Sequence, residues 1–326
     1  MIFRAALNLM LVVVSAAGAT RASAAVDVAR AAYDAGRYTE AHSLLDKEAN
    51  SGSNESDVYY WLARCDLELR NYEDMIAHAE RAVELSPDNS DYHLLLGRAY
   101  GRKAEHHANW FSGISLAKKI RTEFERAVEL NPRNIKAQRD LANFYARAPG
   151  LVGGGDDKAE RKLGEIQALD PVQGHLARMD YFVDKKQWDQ AAAECRSVES
   201  ANPKSAEPYD EIAEYYESRD DGISLERVLE LAARNSANDS RFDYYRGAAA
   251  AISGENLGSG EVALKRYLKE VPPRSGLPSH SNAHLWLGKI YERQRQHEAA
   301  VSEYHEALKL DSNNKAAKDA LKHAGN

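Results

Sequence analysis

Cysteine, basic charge and catalytic signatures are all scarce in this sequence. Cys65 and Cys195 are the only cysteines among 326 residues, too few for the disulfide framework that holds small secreted domains together. Acidic residues outnumber basic ones, 50 to 43, for a net charge of −7. Neutralising phosphates takes a basic surface, so the balance argues against general nucleic-acid binding, although it leaves room for a local basic patch. The HExxH, CxxC and GxSxG signatures do not occur, and with them goes the usual sequence evidence for a zinc or hydrolase site. The sequence thus offers no catalytic set, no metal-ligand set and no cofactor motif.

Long apolar runs are missing as well, with one exception at the start. Arg4 precedes the run Ala5 to Ala19, and Ala22 and Ala24 follow it. The run is shorter than the roughly 20 apolar residues of a membrane span, and small residues at those two places suit a signal peptidase. Residues 1–24 are therefore expected to be a cleaved secretory signal, with export to the periplasm or beyond; an uncleaved anchor is the alternative. No cysteine follows the run, which excludes a lipoprotein anchor. Cleavage removes Arg4 and Arg21, takes the basic residues from 43 to 41 and moves the net charge from −7 to −9.

The stretch "APGLVGGGDDKAE" resembles half of a phosphate-binding loop. Gly150 and Gly155 stand at the spacing of its two glycines, but Asp156 and Asp157 occupy the places of the lysine and the hydroxyl. Two carboxylates would repel a phosphate. The stretch is expected to be a widened turn between two helices: Pro149 ends the first, the glycines let the chain reverse, and the aspartates suit the positive end of the next helix dipole.

Periodicity is what the sequence has in abundance. Four segments carry a large residue, then a large and a small one at the third and fourth positions on, then tyrosine: His93, Leu96, Gly97, Tyr100; Gln138, Leu141, Ala142, Tyr145; Tyr209, Ile212, Ala213, Tyr216; and His284, Leu287, Gly288, Tyr291. Each set makes one helical stripe. A second stripe closed by proline follows in Met75, Ala79, Ala82, Pro87; in Ile120, Phe124, Ala127, Pro132; in Ala159, Leu163, Ile166, Pro171; and in Ala191, Cys195, Val198, Pro203. This pattern resembles the tetratricopeptide repeat, a pair of antiparallel helices. The resemblance implies an all-α, right-handed superhelical solenoid of about eight hairpins near 25–53, 56–88, 90–133, 135–172, 173–204, 206–238, 240–272 and 281–313, with a capping helix at 314–323. The motif "PGLVGGG" and the "YL…PP" link from Tyr267 to Pro273 are similar to those of bacterial exported members of the family.

Extra residues between Gly101 and Ala117 are expected to lengthen the helices of the third repeat. His106, His107, Trp110 and Phe111 fall there, and read as packing residues or as an exposed aromatic partner site. Cys65 and Cys195 fall several layers apart, which predicts free buried thiols. Gly97 and Gly288 sit where paired helices should approach most closely, so enlarging Gly97 is expected to cost more than enlarging Gly154.

First-helix residues turned away from the packing stripe line the concave face of such solenoids. One phase gives Arg64; Arg98 and Arg102; Arg139, Asn143 and Arg147; Asp180 and Asp184; Asp210 and Glu214. Arg139 and Asn143, one turn apart, resemble the carboxylate clamp of chaperone-binding tetratricopeptide domains. The expectation is a non-enzymatic scaffold of the cell envelope. It would bind a protein or peptide at these residues, through an acidic segment or a C-terminal carboxylate, with no nucleic acid or nucleotide as ligand. A structural subunit of an envelope or secretion complex is the alternative, and an enzyme the more distant one. Sequencing the N-terminus of exported protein is expected to start at Ala25; recovery only from membranes with Met1 retained would favour the anchor.

Overall fold

The stripes build helices throughout. The structure, a computed structural model, describes residues 23–107, 110–235 and 239–324, with backbone only at 107, 110 and 111. Among the described residues there is no strand. The leader assignment falls almost wholly on residues outside them, as do the side chains of His107, Trp110 and Phe111.

The chain divides into two compact units between Leu169 and Asp170. Unit 1 holds α1 (23–34), α2 (Tyr38–Asn50), α3 (Ser56–Leu69), α4 (Tyr72–Leu85), α5 (Ser90–His107), α6 (Trp110–Leu130), α7 (Ile135–Arg147), a 3-10 turn (Gly150–Val152) and α8 (Asp156–Leu169). Unit 2 holds α9 (Pro171–Asp184), α10 (Trp188–Ala201), α11 (Glu207–Ser218), α12 (Gly222–Asn235), α13 (Arg241–Ser253), α14 (Leu257–Glu270), α15 (His280–Arg293), α16 (His297–Leu310) and α17 (Lys315–Ala324). Helices pair in chain order as hairpins, and α17 closes the last one by burying Ala317 against α16. This is an all-α helical repeat solenoid. The third hairpin has helices of 18 and 21 residues where those of the other hairpins have 12 to 14, so the extra residues after Gly101 extend both helices rather than forming a loop.

Local signals set the helix starts. Asn134 accepts the Ala137 N–H, Ser279 accepts the Asn282 N–H, and Asp170 accepts from Val172 and Gln173 with Pro171 behind it. These caps satisfy donors that the first turn cannot pair internally. Packing supplies the rest: Leu62, Met75, Leu163, Leu176 and Ile212 are fully buried, each stabilising by about 1.5–3 kcal/mol. Cys65 and Cys195 are buried and free, and burial pushes both thiols up to about 12.

Polar contacts repeat with the helices. The motif tyrosine of a first helix reaches back to a glutamate on the preceding second helix: Tyr100 to Glu80 at 2.6 Å, Tyr145 to Glu125 at 2.9 Å, Tyr216 to Glu199 at 2.9 Å, Tyr291 to Glu261 at 3.1 Å. Within a hairpin, the Nδ1 atoms of His93, His175 and His284 lie 2.6 Å from Glu123, Glu194 and Glu303. Such bonds keep these half-buried groups paired while fixing how one helix sits on the next.

Glycine marks the closest approaches. A Cβ on Gly97 would lie 2.5 Å from Cε1 of Phe124, and one on Gly288 would run into the ring of Tyr304. The expectation for Gly154 needs correction: a Cβ there would overlap the carbonyl oxygen of Ala148, which is backbone and cannot swing aside as a ring can. Gly97→Leu should therefore destabilise by about 1–3 kcal/mol through overpacking, and Gly154→Ala by at least as much. Thermal melting of the two variants tests both, and a Gly154→Ala protein melting with the wild type would contradict the turn geometry.

Candidate functional site

First helices stack on first helices inside each unit: α3 on α5 and α5 on α7 in unit 1, then α9, α11, α13, α15 and α17 in unit 2. Residues of equal phase are thereby set beside one another, and their charges decide what each face can bind.

Unit 1 keeps the arginines of this phase occupied. The guanidinium of Arg64 lies 4.4 Å from the ring centre of Trp61, 4.8 Å from Tyr33 and 5.9 Å from Tyr60, a cation–π cage, and the Tyr33 hydroxyl donates to Glu68 at 2.8 Å. Arg98 Nε donates to Asp140 Oδ2 at 2.5 Å, tying α5 to α7, and Arg102 pairs with Glu105 at 3.0 Å. Arg139 and Arg147 are engaged as well. Asn143 lies half-buried on α7, one turn from each of them. The basic ridge read from the sequence thus exists as positions on stacked helices, but its Arg98 and Arg102 already hold carboxylates of the chain itself.

Unit 2 concentrates carboxylates. Asp180 on α9 and Asp210 and Glu217 on α11 all act on Glu214 of α11. Burial first, and then the charges of Asp210, Glu217 and Asp180, raise Glu214 above the usual carboxylate range, although its side chain keeps access to solvent. Asp210 is pushed up to about 6, by burial before all else, and the Arg241 guanidinium at 3.5 Å offsets only part of that. Arg241 is itself shared with Asp239. Asp184 ends the α9 ridge and is not free of partners either.

Glu217 escaped the sequence reading. Its Oε1 accepts from the Tyr244 hydroxyl at 2.6 Å and from Trp286 Nε1 at 2.8 Å, linking α11, α13 and α15 through one oxygen. Lys289 sits 3.9 Å above the Trp286 ring, and burial lowers its pKa. The signal was available, because Asp210, Glu214 and Glu217 follow the i, i+4, i+7 spacing of one stripe.

The glycine loop holds no anion cradle. The N–H groups of Val152 and Gly154 donate to the carbonyl of Pro149, that of Gly153 to Gly150 and that of Gly155 to Tyr145. Lys158 Nζ and Arg121 Nη1 donate to the carbonyls of Gly153 and Val152. His106 stacks on Tyr72, with ring centres 4.8 Å apart and planes 5° from parallel, which makes it a packing residue.

Unit 1 also gathers three residues that the motif search missed, His42 on α2, Asp66 on α3 and His78 on α4, whose ligating atoms all lie within 4.8 Å of one another. Spacings of 24 and 12 residues match no metal motif; only the hairpin stacking brings them together.

Comparison with known proteins agrees with this architecture. Tetratricopeptide-repeat family models match residues 32–99 and 281–314. The Hsp70-Hsp90 organizing protein 1 of Glycine max is 25% identical over 185 residues, covering 56% of this chain, which spans only 28% of that relative. Among solved structures, the APC/C hetero-tetramer Cut9-Hcn1 superposes with a TM-score of 0.50 at 15% identity, over 91% of this chain and 54% of that one. A thermophilic TPR protein of Thermus thermophilus covers 54% of this chain and 89% of its own, at 21% identity and a TM-score of 0.46. Sequence stripes, stacked hairpins and both family matches together support a tetratricopeptide-repeat protein.

Proposed function

We propose that this protein is a non-enzymatic scaffold of the cell envelope that seats a segment of a partner protein on its exposed first-helix faces. Tetratricopeptide-repeat proteins are protein-interaction scaffolds, and the similarity to a chaperone-organising protein supports a protein-binding role here. The leader-like residues 1–24 support export.

The observation that carries the reading is the carboxylate crowding in unit 2. Burial raises the cost of ionising Asp210, Glu214 and Glu217, the charges of Asp210, Glu217 and Asp180 add to it at Glu214, and a cationic group placed among them would relieve it. The partner accordingly presents a lysine- or arginine-bearing segment to α9 and α11, with Trp286 and Tyr244 holding Glu217 in place. A second reading places an acidic segment or a free C-terminus on Arg98, Arg102, Arg139, Asn143 and Arg147 of unit 1. Planar guanidinium groups favour it, but the incoming carboxylate has to displace Asp140 and Glu105.

Charge variants separate the two. Glu214→Lys alters an exposed position and should leave melting unchanged while abolishing capture of the envelope partner; Arg98→Glu with Arg139→Glu should abolish it only under the second reading. Capture should weaken with salt. It should also weaken as the pH falls through about 6, where Asp210 takes up its proton. The sign follows from the raised pKa: between the ordinary value of 3.8 and about 6 the folded protein holds a proton that the unfolded chain releases, so acidification favours the fold at this residue while removing charge from the site. Undiminished capture by both folded variants would remove the charged faces from the function.

A further inference from the structure

Asp66 is a buried carboxylate on α3. Its side chain is 0% exposed, and among the described residues the side chains facing it at ion-pair distance are two imidazoles, His42 Nε2 at 3.1 Å from Oδ1 and His78 Nδ1 at 2.7 Å from Oδ2. Only the second contact has hydrogen-bond geometry; Oδ1 is buried with no hydrogen bond at all. A buried carboxylate oxygen without a donor carries its full desolvation cost, and neither lysine nor arginine approaches it closely enough to form an ion pair among the described residues. The two imidazole rings meet edge to face, with centres 6.2 Å and planes 61° apart. Both side chains are about one-quarter exposed, at 26% and 25%, so the cluster opens to solvent on the histidine side and is closed on the aspartate side.

We propose that His42, Asp66 and His78 form a binding site for a divalent transition-metal ion of the zinc class. Two imidazoles and one carboxylate are a borderline ligand set that suits Zn²⁺ better than Mg²⁺ or Ca²⁺, which prefer oxygen. Tetrahedral bonds of about 2.0–2.2 Å place ligand atoms roughly 3.4 Å apart. The two histidine-to-aspartate separations, 3.1 and 2.7 Å, have to open slightly and the histidine-to-histidine one, at most 4.8 Å, to close, which rotation of the solvent-facing imidazoles supplies. The ion takes the place of the imidazole proton that now bonds Asp66, and it gives the orphaned Oδ1 its partner. Solvent fills the fourth position. Because the ligands come from α2, α3 and α4, binding cross-links the first two hairpins.

Untagged full-length protein, freed of metal with a chelator, tests this with Co²⁺ as a spectroscopic probe and Zn²⁺ as its competitor. The expected result is one Co²⁺ per chain with the visible absorption of four-coordinate cobalt, lost on adding one equivalent of Zn²⁺, and a rise in melting temperature with Zn²⁺. His42→Ala and His78→Ala change partly exposed side chains and should keep wild-type helicity. Each should weaken binding by more than about 100-fold, since losing a residue that merely orients a ligand already costs roughly 10- to 100-fold. Asp66→Asn gives an independent check by losing the cobalt signal if it folds. No cobalt spectrum in the wild type, or an unchanged one in both folded histidine variants, would overturn the assignment, the second outcome by moving the ion to the remaining histidines.

Discussion

A helix hairpin cannot bury its own apolar stripe, and every other feature of this protein follows from that constraint. Hairpins must stack, and they can stack closely only where one surface is small. Gly97 against Phe124 and Gly288 against Tyr304 meet this requirement in the two units. Close stacking then dictates which polar groups become neighbours. The motif tyrosines reach the preceding glutamates, and the first helices of each unit bring residues of one phase side by side. Function is then a by-product of packing geometry: the chain chooses the residues of that phase, and the stack fixes the distances between them.

The two units use the same constraint in opposite ways. In unit 1 the basic ridges meet carboxylates that lie off their own phase, so Arg98 finds Asp140 across the α5–α7 contact and Arg102 holds Glu105. In unit 2 neighbouring ridges carry like charges, and Arg241 and Lys289 stand among the carboxylates, one shared with Asp239 and the other seated on an indole. Held charge of one sign costs stability and is retained where a ligand of the other sign offsets it. The hydrogen bonds from Tyr244 and Trp286 to Glu217 stiffen that face, since moving the carboxylate would break two of them.

Much of this was legible in the sequence because the tetratricopeptide pattern is a packing code: large and small residues at Leu96, Gly97 and Tyr100 say which side of a helix meets which. The widened turn was legible too, since Asp156 and Asp157 forbid a phosphate. Less legible was anything depending on the third dimension. Gly154 read as tolerant because its conflict is with the carbonyl of Ala148, a backbone atom that no sequence pattern displays. Arg98 and Arg102 read as available because their partners, Asp140 on the next first helix and Glu105 one turn on, lie off the phase being followed. Asp66 and its two histidines, spread over three helices, matched no spacing at all.

The central claim is that stacking buries the unit 2 carboxylates at a cost that the chain does not fully compensate. Side-chain carboxyl titration by ¹³C NMR reads this directly on the unliganded protein. Asp210 is expected to titrate near 6 and Glu214 above the ordinary glutamate value. Ordinary midpoints for both, with Asp210 near 3.8, would show the carboxylates to be independent and solvated, and would contradict the claim.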